Sequence, residues 1–203
     1  MRPTALLLFS SALLAGAAAA ANESAYSERD LDACETVEET GEGPSVTLKC
    51  AGLGDLPVYF KESDLRQSQA YGPIGDAWLK DAFESFGPFN HSNARIEWRL
   101  DGAGKAFATI VRWFVADPET TGEDDQRYGQ VLVVATVATA ENPTSCAVGY
   151  VDALANPDAN VLARRVADDE AGDFACGLNE PQWHGKRGAL AGEPTRWLPA
   201  AVE

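Results

Sequence analysis

Only two histidines, His91 and His184, and four cysteines occur among 203 residues. No two cysteines form a C-x-x-C pair and no H-E-x-x-H is present, so the ligand spacings of familiar zinc sites are missing. Nor is there a G-x-S-x-G nucleophile turn or a glycine-rich phosphate loop. Basic residues are scarce, 16 Lys and Arg against 31 Asp and Glu, for a net charge of −15. Such a chain repels nucleic acid and anionic membrane surfaces and favours basic proteins or cations. Beyond residue 21 no apolar run is long enough to span a bilayer. Internal repeats are also lacking.

What is present begins with an export leader. Arg2 supplies the positive start, Ala5 to Gly16 the apolar run, and Ala17 to Ala21 the small-residue cleavage sites. The run is too short to span a membrane, so cleavage is expected rather than retention as an anchor. Loss of Arg2 with residues 1–21 leaves a mature net charge of about −16 on about 182 residues, the size of one domain. A periplasmic or secreted location follows. Four cysteines in an exported chain imply two disulfides with three possible pairings. The sequence-local choice, Cys34 with Cys50 and Cys146 with Cys176, is the preferred one.

Hydrophobic spacing predicts an α+β domain over residues 22–176. Val46, Leu48 and Cys50 alternate with polar neighbours and Val58-Tyr59-Phe60 follows a turn, which predicts an N-terminal hairpin. Leu65 to Tyr71 is a candidate third strand. Trp78, Leu79, Ala82, Phe83 and Phe86 recur at helical spacing. "RIEWRL", "KAFATIVRWFV", "GQVLVVATV" and "CAVGYVDAL" then form a four-stranded antiparallel meander at the centre of the sheet. With "DGAG" as a four-residue hairpin, Leu100 pairs with Lys105 and Trp98 with Phe107. In "NPDANVLARRVADDE", Asn156 caps a helix, Pro157 opens it, and Ala159, Leu162, Ala163 and Val166 form the stripe that packs on the sheet. Arg164 and Arg165 are expected to pair with Asp168 and Asp169 four residues on, and Gly172 to end the helix. Residues 177–203 show no period and read as an irregular Gly/Pro-rich tail.

Four features point to chemistry. Arg95, Arg99 and Arg112 fall on one sheet face and could hold a carboxylate or phosphate, against internal pairing with Glu97 and other carboxylates. Asp117 and Glu119 open a loop like the start of a calcium site, but position 12 is Tyr128 where a bidentate Glu belongs. Asp168, Asp169 and Glu170 crowd a helix C-terminus, where the dipole disfavours anions and a cation could sit. His91, in the predicted loop "NHSN", and His184, in the tail, lack an evident positioning partner.

"IEWRL", "KAFATIVRWF", "YGQVLVV" and "CAVGYVDALANPDANVLARRVAD" resemble a group of small exported alphaproteobacterial proteins of unknown function. The resemblance covers Leu31 to Cys176, most strongly from Arg95 onward. It implies the periplasm and carries no activity or catalytic residue. The functional expectation is therefore a non-enzymatic binding domain for a basic protein or a small anionic ligand, with no cofactor. The alternatives are a carboxylate-dependent hydrolase of the cell envelope and a weak calcium binder.

Overall fold

A computed structural model describes residues 21–39, 45–120 and 127–199. Of the predicted leader, only Ala21 falls within them. Twelve strands and two α-helices occur among these residues. In chain order the strands are β1 (Glu23–Glu28), β2 (Glu35–Glu39), β3 (Ser45–Ala51), β4 (Pro57–Ser63), β5 (Arg66–Tyr71) and β6 (Phe83–Phe86). They continue as β7 (Asn90–Leu100), β8 (Ala106–Ala116), β9 (Tyr128–Thr136), β10 (Ala147–Asp152), β11 (Gln182–His184) and β12 (Pro194–Trp197). Helix α1 is Asp76–Asp81 and α2 is Ala159–Glu170.

The meander β7-β8-β9-β10 is present, but it is the middle of a larger sheet of order β1-β7-β8-β9-β10-β11. The N-terminal hairpin β3-β4 likewise belongs to a four-stranded sheet, β2-β3-β4-β5. A ribbon of β6 and β12 completes the strands. Alternation along β8 and β9 divides the core. Val111, Trp113, Val115, Val131 and Ala135 face the four-stranded sheet and meet Val58, Phe60 and Tyr71 from it. Ile110, Leu132 and Val134 face the other way and receive Ala159, Ala163, Val166 and Ala167 of α2. The alanine-rich stripe lets the helix backbone approach the sheet closely, as its composition suggests. Trp98 is fully buried, with the Tyr71 ring edge-on at 5.8 Å.

Both disulfides form as the sequence-local pairing, Cys34–Cys50 and Cys146–Cys176. The hairpin register differs from expectation. Leu100 pairs with Ala106 and Trp98 with Thr109, with an irregularity after Arg99. The extra residue turns Phe107 away from Trp98, and it packs with the α2-side core instead. The aromatic run after Trp78 also divides. Only Asp76–Asp81 is helical, and Phe83 to Phe86 enter β6, where tertiary pairing with β12 overrides helical spacing.

The C-terminal stretch is not irregular. β11 lies parallel to β10, with α2 as the crossover between them, the connection that parallel strands require. Asn156 does not cap α2: the cap residue is Asp158, without a side-chain bond. Instead Asn156 is buried and ties the tail down. Its Nδ2 donates to the carbonyls of Asp152 at 2.8 Å and Lys186 at 2.7 Å, and its Oδ1 accepts from Lys186 N–H at 2.9 Å. Asp152 adds a bond from Gly188 N–H at 2.7 Å. Gly172 does not end the helix in a left-handed turn either, because a 3-10 turn over Ala171–Asp173 extends it. Asn156→Ala is expected to cost about 2 kcal/mol by stranding buried backbone groups. Hydrogen exchange should show the Lys186 and Gly188 amides losing protection before those of β8. Unchanged protection at both would remove the assigned role.

Candidate functional site

The outer, helix-side face of β7 carries Glu97 and Arg99, and both are buried under α2. Arg99 grips Asp168 side-on, Nε to Oδ1 at 2.9 Å and Nη2 to Oδ2 at 2.7 Å, and its Nη1 donates to Ser24 Oγ. Arg164 reaches Glu97 rather than Asp168, with Nε to Oε1 at 2.5 Å. The predicted Arg164–Asp168 pair is thus replaced by two pairs from helix to sheet, while Arg165 and Asp169 make no ion pair among the described residues. Burial alone would raise the Glu97 carboxyl, but hydrogen bonds from Arg164 and Ser24 outweigh it and hold the group below its ordinary range.

The other two candidate arginines are engaged separately. Arg95 lies over the Tyr26 ring at 4.5 Å, and Arg112 Nη1 donates to Gln130 at 2.8 Å. The three carboxylates at the end of α2 also have separate surroundings. Asp168 holds Arg99, Glu170 Oε1 lies 3.5 Å from His184 Nε2, and Asp169 is exposed.

Of the calcium-like loop, residues 121–126 fall outside the described residues. Asp117 accepts Glu119 N–H at 3.0 Å and the Thr120 hydroxyl at 3.2 Å, and it pairs with Arg127 at 2.5 Å. Among the described residues no group of three or more His, Cys, Asp or Glu is placed to hold a metal ion.

Neither histidine lies in a loop. His91 is the second residue of β7, stacks on Phe114 at 4.9 Å and meets Tyr128 edge-on. Partial burial lowers its pKa. His184 ends β11, and the bare Cα of Gly149 makes room for it, since a Cβ there would come within 2.8 Å of Nε2.

Sequence reasoning did not single out Glu84, which sits opposite Arg196 in the β6-β12 ribbon. Its carboxylate accepts from Arg196 Nε at 2.7 Å and from Ala147 N–H at 2.8 Å. Burial pushes its pKa up, and these bonds only partly offset the rise. Among the described residues Glu84 is the one carboxylate raised in this way, and a structural pairing accounts for its position.

A groove beside the Cys146–Cys176 disulfide has a different character. It encloses about 500 Å³ between the start of α1, the turn before Cys146, the segment after α2 and the residues after β12. Ala77, Trp78, Pro143, Ala175, Leu178 and Pro199 supply its apolar walls, and Asp76 is its only charged lining residue. Trp78 is fixed from beneath, its indole N–H donating to the Ser145 carbonyl at 3.0 Å. Leu178 is 73% exposed at the rim. The volume falls in the range of small-ligand sites, and the lining is apolar as such sites usually are. No sequence motif marks it, because its walls come from four segments far apart in the chain, two of them joined by the disulfide.

The chain matches no family model, and no curated protein or solved structure proves similar to it.

Proposed function

We propose that the protein is a non-enzymatic binding domain of the periplasm, and that its groove receives an apolar side chain or ring carried by a basic partner. The groove itself carries this reading: a concave apolar surface with a rigid Trp78 floor and a single carboxylate, Asp76, at its edge. The net charge of −15 complements a basic partner and speeds its encounter at low salt. Two disulfides suit an oxidising compartment. No helix among the described residues is long and apolar enough to cross a membrane.

A labelled peptide with one tryptophan flanked by lysines is a suitable probe, with its glutamate-flanked counterpart as control. Binding of the lysine peptide is expected to weaken with salt, and to fall at least about tenfold in Ala77→Arg, which fills the groove and opposes the ligand charge. Ala77 is exposed, so the variant should fold normally. Equal binding of both peptides, or binding indifferent to Ala77→Arg, counts against the proposal.

A further inference from the structure

The four-stranded sheet turns Val58 and Phe60 toward the core, and its opposite face carries a polar cavity of about 270 Å³. The cavity lies at the other end of α1 from the apolar groove. Strand register builds its floor. Glu38 pairs with Thr47 and Thr47 with Lys61, so the three side chains form one row across β2, β3 and β4. Ser45 and Ser63 form the next row, and Lys80, Asp81 and Phe83 supply the facing wall. Glu38 and Lys61 are two strand spacings apart, about 10 Å between backbones.

A glutamate and a lysine so placed can reach one another, but Lys61 is drawn the other way. It is half-buried, and its Nζ donates to the carbonyls of Lys80 at 3.2 Å and Ala82 at 3.0 Å, at the end of α1. These bonds use two of the three ammonium donors. Burial lowers the Lys61 pKa, while the nearby charges of Glu38 and Asp81 act against the fall. Yet Lys61, Lys80, Glu38 and Asp81 make no ion pair among the described residues. Between Glu38 and Lys61 lies Thr47, only 9% exposed, whose hydroxyl bonds to no described residue.

We propose that this cavity binds a free amino acid as its zwitterion, the α-carboxylate on Lys61 and the α-ammonium on Glu38. An ammonium and carboxylates held in one cavity without pairing complement a ligand that carries both charges close together. A zwitterion is neutral overall, so the net charge of −15 does not oppose its entry. The volume is just below the range of drug-sized ligand sites, which suits a molecule this small. The cavity shares no lining residue with the groove over Trp78, so it stands or falls independently of the peptide reading.

L-Alanine is the probe, titrated at constant ionic strength beside propionate and ethylamine, each of which keeps one of its two charges. The Thr47 amide resonance should shift in a saturable way with alanine, and either control should bind at least about tenfold more weakly. Glu38→Gln should weaken alanine binding by at least about tenfold and leave the propionate response unchanged. Glu38 is exposed on an edge strand, so the variant should fold normally. A Thr47 resonance unmoved by alanine overturns the proposal, as does an alanine affinity unchanged in Glu38→Gln. Binding of ethylamine or propionate as tight as that of alanine also overturns it, because a single charge would then suffice.

Discussion

Serine at both Cys146 and Cys176 is expected to destabilise the protein by about 3.5 kcal/mol, from the chain entropy of a loop spanning 30 residues. For a chain of this size that lowers Tm by roughly 7–14 °C. The bond joins the residue just before β10 to the segment just after the α2 extension, so it closes the whole strand–helix excursion. Cys146 is fully buried, and Cys176 packs with Trp78 and Ile74 beneath the groove. Loss of the bond should therefore weaken peptide binding in the groove as well as stability. Urea unfolding of the double-serine variant measures the first effect, and the lysine-peptide titration measures the second. A loss below about 1 kcal/mol would show that residual structure already holds the loop ends close in the reduced unfolded ensemble.

Asp168→Ala is expected to cost about 2–3 kcal/mol. Breaking a well-buried pair from one side typically costs more, about 3–5 kcal/mol, because the other charge is left uncompensated. Here Arg99 has a side chain only 7% exposed, while that of Asp168 is 28% exposed, which tempers the loss. After the substitution Arg99 keeps Ser24 Oγ and the Asn22 carbonyl, and its proximity to Glu97 offsets part of the charge. Asp169→Ala is the matched control. Asp169 is exposed at the same helix end and makes no ion pair among the described residues, so the change should stay within about 0.5 kcal/mol. Similar losses for both variants would mean that the helix end, rather than the Arg99 fork, sets the cost.

The contrast between Asp168 and Asp169 shows where sequence reading stops. On an isolated helix Arg164 with Asp168 and Arg165 with Asp169 are equivalent pairs at the same spacing. The folded chain distinguishes them, because β7 offers Glu97 and Arg99 under the buried side of α2, while Asp169 has no ion-pair partner among the described residues. Asn156 is a similar case. Local geometry recommends it as a cap, yet the return of the tail gives its amide two backbone partners at Lys186, beside the Asp152 carbonyl at the end of β10. Arg29 was invisible for the opposite reason. Placed between Glu28 and Asp30, it reads as an ordinary surface charge, while the turn after β1 sends it alone into the core.

By itself the sequence determined the local patterns: the strands of the meander, the apolar stripe of α2, a sheet-rich fold with two disulfides and the acidic balance. These follow from the periods of strand and helix and from composition, which neighbouring residues encode directly. Tertiary structure alone decided the edge strands β1, β11 and β2, the β6-β12 ribbon, the partner of each arginine and the groove over Trp78. Each of these joins segments far apart in the chain, and such contacts depend on how layers pack rather than on any local spacing. Among the described residues the same packing left one guanidinium, that of Arg29, buried without an ion-pair partner.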